Sequence, residues 1–199
     1  MAFTFFFRDS HTLELAVKHL LPLVAGRSIV RIWDAGCAMG QEPYTLTILL
    51  AEFMGTFAFK NVQVLATDLD PNDQFGPIVE KAVYPFSELE RIPADYFQKY
   101  FESHENNYWR LVDSIRNRVR FSKLDLLELK PIQDDISLIV CKNVLLHFQP
   151  SERISVIEMF YRSLMPHGLL VMEQTQKMPE ELLVQFEQVV VDAQLYRKK

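Results

Sequence analysis

Residues 30–44 read VRIWDAGCAMGQEPY. Val, Ile and Trp suit a buried strand, Asp-Ala-Gly ends it in a turn, and Pro43 stands near the start of the next segment, where a missing N–H costs a helix nothing. From Gln41 to Met54 apolar residues recur at helical spacing. A strand, a glycine turn and a helix in that order open an α/β unit.

The same grammar repeats outward. NVQVLATDLD (61–70) is a second strand ending in two carboxylates, followed by a Pro-Asn-Asp turn and a short helix in IVEKAVY. RVRFSKLDLL (118–127), SLIVCKNVLLHF (137–148) and GLLVMEQT (168–175) supply three more strands, and SERISVIEMFYRSLM (151–165) is a helix with Ser151 as expected N-cap. Alternating strands and helices of this length predict an α/β fold: a Rossmann-like, doubly wound, mostly parallel sheet. The block 85–117 breaks the alternation. It holds two short helical patterns and an Asn-Asn turn before an alternating segment from Trp109 to Val112, which predicts a small helix and β-hairpin subdomain inserted into a single 1–199 domain.

Composition bounds the function. The chain has 199 residues, 49% hydrophobic and 24% charged, with a formal net charge of −5. Its isoelectric point near 5.6 argues against a nucleic-acid partner, and RNRVR at 116–120 reads as a solvated strand face. Cys37 and Cys141 sit among apolar or small residues and read as reduced packing residues, so the expected location is cytoplasmic. MAFTFFFRDS lacks the basic start and long apolar run of a signal peptide, and no stretch approaches the ~20 apolar residues of a membrane span. Membrane insertion is not expected, and the sequence leaves the oligomeric state open.

In a parallel sheet, ligands bind beyond the carboxyl ends of the strands where the strand order reverses. Gly36 and Gly40 stand at such an end. Asp68 closes the next strand, where a carboxylate clamps a ribose, while Asp70 reads as a helix cap. A dinucleotide loop is G-x-G-x-x-G; G-C-A-M-G lacks the close glycine pair and the third glycine. That shifts the expectation from nicotinamide or flavin towards S-adenosylmethionine, which has no pyrophosphate to cradle. No Ser-His-Asp or Cys-His set is legible, and no pair among the five His residues has metal-ligand spacing.

At this point several ordered motifs carry a resemblance. Thr4-Phe5-Phe6-Phe7-Arg8 resembles T-x-F-F-R, and Ala35 to Thr45 resembles A-G-C-S-x-G-E-E-P-Y-S. Ala66-Thr67-Asp68-Leu69-Asp70 resembles A-T-D-I-D, Tyr84 to Leu89 resembles Y-x-x-S-E-L, Cys141 to Phe148 resembles C-R-N-V-L-I-Y-F, and Leu164 to Gly168 resembles L-x-P-G-G. Together they are similar to the catalytic domain of the CheR family, the S-adenosylmethionine-dependent protein-glutamate methyltransferases of bacterial chemotaxis.

The resemblance implies a methyl transfer to a carboxylate of a protein such as a chemoreceptor, leaving S-adenosylhomocysteine. It implies cofactor contacts at Thr4, Arg8, Gly36, Gly40, Glu42, Asp68, Asp125, Leu126, Asn143 and Val144. Arg8 is placed to pair with a carboxylate of the cofactor or of the acceptor, and His147 stands near the expected transfer site; these two are the catalytic candidates. The alternatives are a small-molecule O-methyltransferase and a degenerate module that binds S-adenosylmethionine or S-adenosylhomocysteine without turnover.

Departures from the pattern are part of the reading. His147 replaces a Tyr, Ala2 replaces an Asn, and Glu173-Gln174-Thr175-Gln176 replaces G-H-S-E. Gly76 and Pro77 are expected to interrupt the helix after the second strand. The sequence starts almost at the first motif, so the resemblance covers the catalytic domain without the family's N-terminal helical domain.

Overall fold

The computed structural model describes residues 4–199. The chain runs α1 (Ser10–Val24), β1 (Val30–Ala35), α2 (Gln41–Phe59), β2 (Val62–Asp68), α3 (Phe75–Lys81), β3 (Val83–Pro85), α4 (Ala94–Tyr100), β4 (Phe101–Ser103), β5 (Tyr108–Leu111) and α5 (Asp113–Arg116). It continues as β6 (Val119–Lys123), β7 (Ile136–Cys141), α6 (Pro150–Ser163), β8 (Leu164–Met172), β9 (Phe186–Gln188) and β10 (Leu195–Lys198).

Seven strands form one sheet in the order β6-β2-β1-β7-β8-β10-β9. The pairs β6–β2, β2–β1, β1–β7 and β7–β8 are parallel, and β10 runs antiparallel to both β8 and β9. This is the doubly wound, mostly parallel sheet that the strand-helix alternation predicts. The closing β9–β10 hairpin and α1 lie outside the sequence reading. No helix of the described residues is long and apolar enough to cross a membrane.

The central strands are buried on both faces because helices cover both. Val30 and Ile32 on β1, with Leu138 and Val140 on β7, pack against α1 and α2. Trp33 and Ala35, with Ile139 and Cys141, face α6 through Val156 and Phe160. Trp33 is fully buried, meets Phe160 edge-on, and donates its indole N–H to Thr67 Oγ1 at 2.8 Å, so its one polar group is satisfied. Arg118 and Arg120 lie at or beside the edge strand β6, consistent with charge guarding an exposed edge.

Two local expectations are corrected. The N-cap of α6 is Gln149 rather than Ser151: Pro150 takes the first helical position, and Glu152 Oε2 accepts the Gln149 backbone N–H at 2.8 Å. Gly76 and Pro77 do not interrupt a helix but begin one, since both fall in the first turn of α3, where N–H groups have no helical acceptor. Asp70 caps that turn as expected. Its Oδ1 accepts from Gln74 N and Phe75 N at 2.8 and 3.0 Å, and its Oδ2 from Gly76 N at 3.1 Å.

Between α3 and β6, β3, β5 and β4 form a separate three-stranded antiparallel sheet. Phe86, Phe97, Phe101 and Trp109 make its aromatic cluster. Phe6 joins it to the main core, meeting Tyr84 and Phe101 edge-on at 5.0 and 5.6 Å.

Candidate active site

The strand order reverses between β1 and β7, and the loops leaving their carboxyl ends part to open a cavity of about 630 Å3. Its floor is the glycine turn. Gly36 N and Cys37 N both donate to Thr67 O on β2, at 2.8 and 2.9 Å, and Gly40 N donates to Cys37 O at 3.0 Å. From the three-stranded sheet, the Tyr84 hydroxyl donates to Met39 O at 2.8 Å and pins the turn from behind.

Gly36 has φ +105, and a Cβ there would lie 2.2 Å from Val144 Cγ2. A side chain is therefore excluded both by backbone conformation and by the β7 loop. Gly40, with φ +94, serves a different purpose. It is the residue before α2, and its would-be Cβ would press on the Tyr84 hydroxyl at 2.8 Å. It does not line the cavity, unlike the other candidate site residues, Thr4, Arg8, Gly36, Glu42, Asp68, Asp125, Leu126, Asn143, Val144 and His147, which all do. Ala2 lies outside the described residues.

Three carboxylates enter this space from three elements. Asp68, last residue of β2, accepts the Ala38 N–H at 2.9 Å on one oxygen and the Asp70 N–H at 3.2 Å on the other. Those bonds fix its direction and leave lone pairs on both oxygens for a diol. Asp125 caps a short turn through the Leu127 N–H at 2.9 Å, so one oxygen is committed locally. Glu42, in the first turn of α2, has a side chain only 14% exposed and pairs with Lys142 Nζ at 3.2 Å. Burial pushes its carboxyl up, the nearby Lys142 ammonium pulls it only part of the way back, and the charge of Asp9 raises it again, so it stays above the ordinary value.

Residues 4–9 cross the mouth. The Phe7 N–H donates to Thr45 Oγ1 at 3.0 Å, Arg8 Nη2 donates to Asn143 Oδ1 at 3.1 Å, and Asp9 Oδ2 lies 3.3 Å from Lys142 Nζ. Two catalytic candidates thus line one cavity, with Arg8 tied to the β7 loop that also carries His147.

Sequence reasoning did not nominate Lys142, Phe5, Leu124 or Phe148, which also line the space. Nor did it nominate Asp34, fully buried on β1 with no hydrogen-bond partner on either oxygen among the described residues. Burial, then the charge of Glu42, holds the Asp34 carboxyl well above the usual carboxylate range, with the Lys142 charge opposing them. The readable signal was a lone Lys in an apolar strand end, VCKNV, and an Asp directly after the apolar Ile32 and Trp33 of β1.

A profile of the family described as "CheR methyltransferase, SAM binding domain" matches residues 2–194. Among similar proteins, chemotaxis protein methyltransferase 2 of Vibrio cholerae is 29% identical over 88% of this chain and 62% of its own length. Chemotaxis protein methyltransferase 1 of Pseudomonas aeruginosa is 29% identical over 84% and 63%. The chain spans about 60% of the length of these relatives. Among solved structures, PKMT2 from Rickettsia typhi overlays with a TM-score of 0.51 at 18% identity, over 86% of this chain and 26% of that one, a likeness of fold alone.

Proposed function

The chain belongs to the CheR methyltransferase family through its S-adenosylmethionine-binding domain, and from that premise we propose that it transfers the cofactor's methyl group to a carboxylate of a protein, a glutamate side chain of a chemoreceptor-like partner. One observation carries the reading: a single cavity at the β1–β7 switch point gathers the motif residues of five separate chain segments.

The donor set fits the cofactor. The volume is that of a small-molecule site, and its acidic groups suit a diol, an amine and a cationic centre. Asp68 is the acceptor for the ribose hydroxyls, Asp125 with Leu126 holds the adenine edge, and Glu42 meets the methionyl ammonium. Thr4, Asn143 and Val144 complete the methionyl side. Once bound, S-adenosylmethionine supplies an electrophilic methyl on a sulfonium for in-line displacement by a carboxylate oxygen.

The chain's own residues then have little proton chemistry to perform. A glutamate acceptor is already ionised at pH 7, so no general base is needed. Arg8 turns the acceptor carboxylate by charge-assisted hydrogen bonds, with the Arg8–Asn143 bond limiting its freedom. Phe5, Leu146 and Phe148 line the apolar wall that excludes water, and His147 offers a hydrogen-bond donor beside the acceptor. Rate comes from alignment in a dry site.

The test is incubation with methyl-tritiated S-adenosylmethionine and chemoreceptor-bearing membranes. A glutamyl methyl ester releases volatile tritiated methanol in mild base. Base-stable counts would shift the acceptor class, and cofactor binding with no transfer to protein would leave a binding module.

A further inference from the structure

Lys142 follows the last residue of β7, and its side chain is only 2% exposed. Its Nζ lies 3.2 Å from Glu42 Oε2 and 3.3 Å from Asp9 Oδ2, and it lines the cavity. Asp9 is 56% exposed and screened by water, so Glu42 is the dominant partner. Taking an ammonium out of water is costly, and a single carboxylate offsets that cost only in part. A residue that merely filled this volume would do better as Met or Leu. The retained charge points to the group it faces.

We propose that Lys142 is a positioning residue: its ammonium holds the Glu42 carboxylate in place and aimed into the cavity. The inference rests on the cofactor reading of this cavity. The titratable and charged groups around the pair are Arg8 and Asp9 from the N-terminal segment, Asp34 on β1, Cys37 in the glycine turn, Asp68 on β2, Cys141 on β7 and Glu173 beyond β8. Apart from Arg8, none of these supplies positive charge. Without Lys142, burial and the neighbouring Asp9 push the Glu42 carboxyl further up, opposed by Arg8, so its neutral form gains at the lower end of the pH range. A neutral acid no longer holds the methionyl ammonium, so affinity falls as pH falls and returns as pH rises.

The experiment is calorimetric titration of wild type, Lys142→Met and Lys142→Arg with S-adenosylhomocysteine and with 5′-methylthioadenosine, at pH 6, 7 and 8.5. The second ligand keeps the adenosine and lacks the amino-acid end. The expected result is that Lys142→Met weakens S-adenosylhomocysteine about tenfold at pH 6–7, the equivalent of one pKa unit, and recovers at pH 8.5. Lys142→Arg follows wild type, and 5′-methylthioadenosine binds all three alike. Equal losses for both ligands, or an unchanged S-adenosylhomocysteine profile in Lys142→Met, overturn the proposal. If wild type binds neither ligand, the cofactor reading falls and takes this proposal with it. Should Lys142→Met not fold, Glu42→Gln/Lys142→Met decides: removing both charges restores folding if they hold each other, and a double variant as unstable as the single overturns the proposal.

Discussion

Replacing Asp68 by Ala separates two duties that the structure assigns to one carboxylate. The first is local: the Ala38 and Asp70 N–H groups, at 2.9 and 3.2 Å, lose their acceptor. Ala38 is 8% exposed, so its donor is poorly rehydrated. An unsatisfied buried donor costs about 1–3 kcal/mol, and the longer Asp70 bond counts less, giving about 2 kcal/mol in total. For a chain of this size that lowers Tm by roughly 4–8 °C. The second duty is the ribose clamp. Two hydroxyls donating to a charged acceptor are worth about 1.5–3 kcal/mol each; the half-buried position argues for the low end, about 3 kcal/mol, or on the order of a hundredfold in Kd. Because the ribose is common to both ligands, S-adenosylhomocysteine and 5′-methylthioadenosine should weaken together, unlike the Lys142 case. Calorimetry and thermal unfolding on the same preparation read both effects. If Asp68→Ala lowers Tm yet binds both ligands within threefold of wild type, Asp68 is a staple of the glycine turn and the ribose assignment is wrong.

Three further outcomes follow from the geometry. Gly36→Ala combines a Cβ placed 2.2 Å from Val144 Cγ2 with a φ of +105, which should destabilise the fold by about 2–3 kcal/mol and weaken cofactor binding; denaturant unfolding checks it, and Gly36→Ala/Val144→Ala should recover only the part due to the clash. Asp70→Ala removes the acceptor of three backbone N–H groups at the start of α3 and should cost about 1–2 kcal/mol near neutral pH. Burial pushes the Asp70 carboxyl up, but its bonds to the Phe75, Gly76 and Gln74 N–H groups outweigh that and hold it below the ordinary value; its contribution is present above about pH 4 and lost as pH falls further, so the Tm gap between wild type and variant should narrow in acid. His147→Tyr restores the aromatic hydroxyl of the motif and should raise base-labile methyl incorporation; an unchanged rate would place position 147 away from the reacting groups.

Local chemistry explains what the sequence made legible. The β1–turn–α2 unit was readable because each signal is contained within a dozen residues: apolar strand, glycines, Pro43 in the first helical turn. Asp70 was readable as a cap because its acceptors' partners are four to six residues away. The cap of α6 was misread because Ser151 is a strong capping type, while Pro150 takes the first helical position and moves the cap two residues earlier, to Gln149. The β9–β10 hairpin was missed since strands of three and four residues have no period to show, and pairing with β8 selects them. Lys142 could be seen as a lone cation in an apolar run, but its depth and its partners depend on Glu42 and Asp9, a hundred or more residues earlier.

The cavity arises from the same topology that sets the core. Crossovers from β1 and β7 leave in opposite directions at the switch point, so their loops diverge above a floor that must stay low. Gly36 keeps it low, and Val144 fills the space a side chain would take. The N-terminal segment then closes one side with three contacts to two elements: Phe7 to α2, and Arg8 and Asp9 to Asn143 and Lys142 of the loop after β7. Each contact is long in sequence and individually weak, which makes closure dependent on all three partners being in place at once. Two of those partners, Asn143 and Lys142, are consecutive residues on one loop. The position of the β7 loop therefore sets the height of the cavity through Val144, its closure through Asn143 and the charge of its acidic wall through Lys142, so a displacement of that loop changes shape and electrostatics together.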